Sequence, residues 1–119
     1  MARDHRKLDA FKLADELVLR IYAATNPFPA TERYGLQGQL RRSAISVPTN
    51  IVEGCARDSQ GDFLRFLDIA FGSCREVIYL VSLATRLDLL DHEGAVELEQ
   101  LGGRVAAALT GLRRALKRP

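Results

Sequence analysis

Residues 39–55 read "QLRRSAISVPTNIVEGC", and the structure of this stretch decides the fold of the chain. A proline at position 48 and several small or β-branched residues leave strand, loop and helix open at first sight. The apolar positions, however, repeat every three or four residues and keep their phase through the proline: Leu36, Leu40, Ala44, Val47, Ile51 and Cys55. That is the period of a helix, whereas a strand has a period of two. The sequence therefore predicts one helix over residues 32–56, kinked near Pro48.

Three further segments show the same helical period, over residues 8–25, 59–87 and 92–117. The third helix of the chain begins at Ser59, a residue type that caps helices well. No segment alternates apolar and polar residues long enough to indicate a sheet. Short connections favour antiparallel neighbours. The sequence therefore predicts an all-α protein, with one domain over residues 1–119 folded as an antiparallel up-down-up-down four-helix bundle.

The composition limits the class of protein. The 119 residues are 47% hydrophobic and 27% charged, which is typical of one domain with one core. The net charge is only +2, so the chain as a whole has no strong electrostatic field. No apolar stretch is long enough to span a bilayer, and the N-terminus lacks the apolar core of a signal peptide. We therefore expect a cytoplasmic protein with no membrane partner.

The third predicted helix has more apolar surface than one core-facing stripe requires. Residues 63–90 contain 18 apolar residues in 28 positions. A lone bundle needs an apolar stripe only somewhat wider than about 100° on each helix. The excess is compatible with a wide core stripe and scattered surface leucines, but it favours a second buried face. We therefore predict a homo-oligomer.

The sequence contains no constellation typical of an enzyme. The two histidines, His5 and His92, fall at opposite ends of an antiparallel bundle, so they cannot share a metal ion or a proton. Cys55 and Cys74 lie on apolar stripes, roughly 18 Å apart along the predicted helix pair, which is beyond the reach of a disulfide. We therefore predict a non-enzymatic protein with no catalytic residue, no cofactor and no metal.

Polar residues follow helical spacing on the second and third helices. We call this set the polar seam, and its members are Arg42, Ser46, Asn50, Glu53, Arg65, Asp68 and Arg75. The stripe could be a ligand groove, a subunit contact, or a solvated face with pairs Glu53–Arg57 and Arg65–Asp68. We favour a structural polar network, within or between subunits, over a catalytic site.

One end of the predicted bundle collects positive charge. The N-terminus, the turn between the second and third helices and the C-terminus share that end in an up-down-up-down bundle. We call it the basic end, and its predicted nucleic-acid contacts are Arg3, Arg6, Lys7, Arg113, Arg114, Lys117 and Arg118. Cations in a last helical turn also match the helix dipole, which explains part of the cluster without any ligand. The alternative is that the cluster contacts the phosphates of RNA or DNA.

Two segments resemble a known family. The pattern FP..E.YGL..QLRRSA.S.P.NI.EG covers residues 28–54, and the pattern F.RFL.IA.GS..E covers residues 63–76. Together they resemble the four-helix-bundle proteins encoded in intervening sequences of 23S ribosomal RNA genes, and the similarity extends over nearly the whole chain. The resemblance implies a homo-oligomer, in the form of a pentamer of bundles. Related bundle proteins act as nucleic-acid-binding accessory factors of diversity-generating retroelements.

The pattern and the resemblance together predict a non-enzymatic oligomeric bundle that binds RNA or DNA through its basic end. The alternative is a protein-interaction or structural scaffold module that has no nucleic-acid role and acts through a protein partner. A protein partner that persists after nuclease treatment would favour this alternative.

Overall fold

A computed structural model describes residues 3–118 of the chain. It contains four α-helices, which are α1 (Asp9–Thr25), α2 (Leu36–Cys55), α3 (Gln60–Arg86) and α4 (His92–Lys117). Two single-turn 3₁₀ helices, His5–Lys7 and Ala30–Glu32, precede α1 and α2. No strand occurs among the described residues. The predicted all-α four-helix bundle is therefore confirmed.

The helices surround one core. Each packs against the next in the chain, α4 packs against α1, and the α2–α3 contact is the most extensive. The predicted stripe between Leu36 and Cys55 is buried at every position. Burial of this stripe offsets the hydrogen bond that Pro48 removes, so the helix continues through the proline. The kink near Pro48 stays a prediction.

Hydrogen bonds give the relative directions of three helices. Between α2 and α3, the pairs Gln39–Glu76 and Ser46–Ser73 show that residue numbers increase along α2 while they decrease along α3. The pairs Asp68–Arg113 and Cys74–Gly102 show the same between α3 and α4. Helix α3 therefore runs antiparallel to both α2 and α4. The complete up-down-up-down order stays a prediction. Within residues 3–118, none of the four helices combines the length and hydrophobicity that crossing a bilayer requires.

Both ends of the described chain lie at the turn between α2 and α3. The backbone N–H of Arg3 donates to the carbonyl of Cys55, at 3.3 Å, beside the last turn of α2. The side-chain amide of Gln60, at the start of α3, donates to the carbonyl of Leu116, at 2.5 Å. The first and last described residues thus flank the same turn.

The start of α2 corrects the sequence prediction, which placed it at residue 32. Glu32 instead ends a 3₁₀ turn, and its carboxylate accepts the Leu36 N–H at 3.1 Å. Gly35 between them has φ −105° and ψ −118°, which is not helical. The carboxylate satisfies a free N–H at the start of a helix, where negative charge is favourable. Helix α2 therefore begins at Leu36.

The starts of α3 and α4 lie within one residue of the predicted positions because polar side chains cap them. Helix α1 also starts within one residue of its predicted position, although its N-cap residue, Leu8, offers no side-chain hydrogen bond. The Ser59 hydroxyl accepts the Asp62 N–H at 3.1 Å, at the start of α3. The Asp91 carboxylate accepts the Gly94 N–H at 2.6 Å, at the start of α4. Each cap satisfies one of the free N–H groups of the first turn.

Candidate functional site

Part of the polar seam forms a hydrogen-bond network between α2 and α3. The hydroxyls of Ser46 and Ser73 are 2.8 Å apart and join the two helices. The side-chain amide of Asn50 donates to the Ser46 hydroxyl, at 3.0 Å, and to the Ser46 carbonyl, at 2.7 Å. All of these groups are half-buried. Hydrogen bonds in such surroundings fix the register of two helices, because an unpaired partner would be partly desolvated.

A second network begins at Arg42, one turn earlier on α2. The Arg42 guanidinium donates to the side-chain oxygen of Gln39, at 2.9 Å. The Gln39 amide in turn donates to the carboxylate of Glu76 on α3. The seam prediction missed Gln39, Glu76 and Ser73. All three are specified letters of the two family patterns, which is the sequence feature that points to them.

The remaining seam residues do not form the ion pairs of the solvated-face alternative. Arg65 pairs with Asp62, at 3.6 Å, and Asp68 pairs with Arg113 on α4, at 2.7 Å, so the Arg65–Asp68 pair of that alternative is not formed. The physical reason is that Asp68 lies on the side of α3 that faces α4. Its carboxylate therefore meets a cation from another helix.

The Glu53–Arg57 pair of the solvated-face alternative is also absent from residues 3–118. The guanidiniums of Arg57 and Arg65 lie over the ring of Phe66, at 4.7 and 5.0 Å from its centroid. This cation–π contact draws Arg57 away from Glu53. Glu53 and Arg75 are exposed and make no salt bridge within the described residues.

Three of the seven predicted phosphate contacts are held within the protein. The Arg3 guanidinium donates to the carbonyl of Arg57, at 3.0 Å, and lies 4.2 Å from the centre of the Phe63 ring. Arg6 forms a salt bridge with Asp4 at 3.0 Å, and this hydrogen bond lowers the pKa of the Asp4 carboxyl. Arg113 is the third, because Asp68 accepts its hydrogen bond.

The other four cations of the basic end have no such partner. Lys7, Arg114, Lys117 and Arg118 are exposed and form no salt bridge within residues 3–118. The start of α1 lies beside the last third of α4, since residues 8–10 line a groove with Ala108, Gly111 and Leu112. Exposed cations from the two ends of the chain thus share one region of the surface.

The cysteines do not form a reactive centre. Cys55 and Cys74 are free and buried. Burial raises the pKa of both thiols, and that of Cys74 to about 11, so both are neutral near pH 7. The Cys74 thiol donates to the Gly102 carbonyl at 3.2 Å. Among residues 3–118, no group of three or more His, Cys, Asp or Glu is placed to hold a metal ion.

Open grooves lie along the interface between α1 and α4. One is lined largely by small residues and apolar carbon, including Ala23, Ala24, Gly94 and Leu98. The next groove along this interface is polar and is lined by Glu16, Arg20, Glu97 and Arg104. Neither groove contains a histidine, cysteine or serine. Their chemistry does not indicate nucleophilic catalysis.

Comparisons with known proteins agree with this architecture. Residues 6–111 match the family described as 23S rRNA-intervening sequence protein. A crystal structure of a protein with unknown function, from the S23 ribosomal protein family of Bacteroides thetaiotaomicron VPI-5482, superposes with a TM-score of 0.82. The two chains are 21% identical, over 88% of this chain and 95% of the other, which shows a shared fold. No curated protein matches the chain.

Proposed function

Because this chain belongs to the family of 23S rRNA-intervening sequence proteins, we propose that it is a non-enzymatic bundle protein that binds RNA or DNA through its basic end. One observation carries the proposal. Four exposed cations that form no salt bridge within residues 3–118 come from the two ends of the described chain to one region: Lys7, Arg114, Lys117 and Arg118.

The physics of this cluster favours a phosphate ligand. The helix dipole places a partial negative charge at the end of α4. This charge neutralises only part of the positive charge of Arg114, Lys117 and Arg118. When cations that lack an internal partner contact the phosphates of a nucleic acid, the counterions condensed on those phosphates are released. This release drives non-specific binding. Four such contacts on duplex DNA give a log–log salt slope of about −3.6, at about −0.9 per contact. Arg113 stays with Asp68 and adds little to that slope.

Fluorescence anisotropy with a labelled RNA hairpin and a labelled DNA duplex, repeated over a salt series, tests the proposal. The test variant changes Lys7, Arg114, Lys117 and Arg118 to Gln. The control variant changes four other exposed cations without a salt bridge to Gln: Lys12, Arg33, Arg75 and Arg104. Each variant lowers the net charge from +2 to −2.

We expect the test variant to lose most of the binding and the salt slope, while the control stays within about threefold of wild type. Equal losses in both variants would mean that net charge alone attracts the nucleic acid. No binding of wild type at low salt would refute the proposal. A preference for the hairpin over the duplex would identify RNA as the ligand.

A second candidate is a protein-interaction or structural scaffold module that has no nucleic-acid role. The observation that favours it is exposed apolar surface on the outer faces of α2 and α3. Ile45 and Val52 on α2 are 41% and 36% exposed, and Ile69 and Tyr79 on α3 are 44% and 57% exposed. Surface of this kind is often a protein contact.

Light scattering after gel filtration tests self-association. A pentamer, as the resemblance implies, would have the mass of five 13.2-kDa chains. Changing Ile45 and Ile69 to Glu should reduce that mass, whereas Leu19→Glu, at a 67% exposed position on α1, should not. A wild-type chain that is monomeric at micromolar concentration would contradict the oligomer.

A further inference from the structure

Residues 3–7 form a short segment, which we call the N-terminal strap, across the end of α2 and the start of α3. Arg3 holds it through three contacts: its N–H to the Cys55 carbonyl, its guanidinium to the Arg57 carbonyl, and its stacking on Phe63. Within the strap, Asp4 accepts the N–H of Arg6 at 3.0 Å and pairs with its guanidinium. The strap thus depends on two arginines of the basic end.

Polar contacts, rather than core burial, hold the strap. Its 3₁₀ helix has no buried residue, and the core begins at Ala10 in α1. Segments with few buried apolar contacts open locally at a small fraction of the free energy of global unfolding. Opening this strap loses two hydrogen bonds, the cover of one face of Phe63 and the edge-to-face contact of His5 with Phe11, whose ring centroids are 4.7 Å apart. It removes no buried side chain of the strap from the core.

The strap covers Cys55. This residue is only 2% exposed, and its carbonyl accepts the Arg3 N–H. The Cys55 side chain lies at the edge of the core, in the last turn of α2. We therefore expect its thiol to report on the strap and to become more accessible to reagents when the strap lifts. Cys74 lies in the core beneath α4 and reports only global opening.

We infer that the strap is a latch that opens when the basic end binds a nucleic acid. This inference rests on the proposed function and adds a regulatory step to the same site. A phosphate group competes with the neutral Arg57 carbonyl for Arg3. Guanidinium–phosphate pairs are charge-assisted and often bidentate, so they are stronger than the single bond of Arg3 to a neutral carbonyl.

Opening the latch changes what the basic end offers. In the closed state, Arg3 is held by the Arg57 carbonyl and the Phe63 ring, and the other four exposed cations of the basic end form no salt bridge within residues 3–118. In the open state, the Arg3 guanidinium joins Lys7 and the cations at the end of α4. The strap is thus autoinhibitory, since the closed form binds through fewer phosphate contacts and the open form through more.

Thiol labelling of the full chain tests the latch. The protein is pulsed with a maleimide, digested with trypsin and analysed by mass spectrometry, because Cys55 and Cys74 fall in different peptides, 43–57 and 66–75. Wild type, Arg3→Gln and the matched control Arg33→Gln are compared without ligand and with the RNA hairpin and DNA duplex. Anisotropy on the same samples measures binding independently.

We expect Arg3→Gln to label Cys55 at least about tenfold faster than wild type without ligand, since a charged hydrogen bond and a stacking contact are lost. Arg33→Gln should stay within about twofold of wild type, because Arg33 is an exposed residue outside the strap and forms no salt bridge within residues 3–118. Nucleic acid should accelerate Cys55 labelling in wild type and add little in Arg3→Gln. Cys74 labelling should stay slow throughout.

Binding by anisotropy with unchanged or slower Cys55 labelling would overturn the latch and leave the proposed function standing. Absence of binding would overturn the proposed function and ligand-driven opening together. In that case Arg3→Gln still shows whether the strap covers the thiol. Parallel acceleration of Cys55 and Cys74 would show global destabilisation and would also overturn the latch.

Discussion

Helix α3 contacts its two neighbours closely, whereas α1 and α4 lie side by side with open grooves between them. Against α3, Gly54 of α2 lies where an added Cβ would come within 2.9 Å of the Phe66 Cβ. Gly102 of α4 likewise faces Ile78 of α3, at 2.8 Å. Between α1 and α4, Gly111 lines a groove, and an added Cβ would meet nothing within 4 Å.

The difference shows that glycine has a different physical role in the two regions. A glycine inside a helix costs about 1 kcal/mol relative to alanine. At Gly54 and Gly102, close packing against α3 offsets that cost. At Gly111 no contact in the described chain does so. Comparing substitutions at these positions therefore measures how closely each interface is packed.

The largest expected effect is that of Gly54→Ala. The added methyl group would press on the Cβ of Phe66 and on the ring of Phe63, and the Phe66 Cβ cannot move without its backbone. We expect a loss of about 3 kcal/mol in the free energy of unfolding, measured by urea denaturation. Gly72→Ala, at an exposed position on α3 with open space around it, is the control and should not destabilise. Equal stability of Gly54→Ala and wild type would mean that the α2–α3 interface is loose.

The second prediction concerns Cys74 in the α3–α4 interface. Burial raises the pKa of its thiol to about 11, above that of a thiol in the unfolded chain, near 8.5. Its contribution to stability is therefore complete below pH 8.5 and is lost as the pH rises toward 11, by about 3 kcal/mol.

Urea unfolding between pH 8 and pH 11, in the presence of a reductant, checks this prediction. Cys74→Ser keeps a donor for the Gly102 carbonyl but does not titrate in this range, so its stability should fall less steeply than that of wild type. Cys55 is present in both proteins and cancels in the difference. Identical slopes would indicate that Cys74 is accessible to solvent and that α4 does not seal against α3.

A third, smaller effect is expected from the hydroxyl pair between α2 and α3. Ser46→Ala and Ser73→Ala should each destabilise by about 1 kcal/mol, because the partner hydroxyl is half-buried. A double-mutant cycle should give a coupling energy of about 0.5–1 kcal/mol. Thr49→Ala, an exposed position on the same helix, is the control. Additive losses would show that the two serines act independently.

The smallest effect is expected at the α1–α4 groove, and its sign is opposite. Gly111→Ala should stabilise the protein by about 0.5–1 kcal/mol, since alanine is the better helix former and its methyl group has open space. Gly103→Ala, also exposed on α4, should do the same. If only Gly111→Ala is destabilising, another chain closes the groove in solution, and the contrast between the two regions holds for the isolated bundle alone.

The fold could be predicted from the sequence because each helix has a local sequence signal. The period of the apolar residues survives Pro48, and Ser59 and Asp91 are good caps at the right positions. The start of α2 could not be predicted in this way. There the capping group is Glu32, four residues before the helix and across a non-helical Gly35, which no local propensity indicates.

The candidate site was predicted only in part, and for a physical reason. Spacing along one helix identified Ser46 and Asn50, but their partner Ser73 depends on how two helices are rotated against each other. Charge clustering likewise identified Arg3 and Arg113 without showing their internal acceptors. The acceptor of Arg3 is the backbone carbonyl of Arg57, just after the end of α2. A backbone carbonyl has no net charge, so the distribution of charged residues does not identify it.

The position of both chain ends at the α2–α3 turn has a practical consequence for protein engineering. Any peptide joined before Arg3 or after Arg118, such as an affinity tag or a fluorescent protein, emerges beside the basic end and beside Cys55. A tag of this kind would screen the cations and confuse both binding and labelling assays. The connection between α3 and α4, at residues 87–91, lies at the opposite end of those helices. A circular permutant opened there, with the present ends joined by a short linker, would carry its tag far from the site.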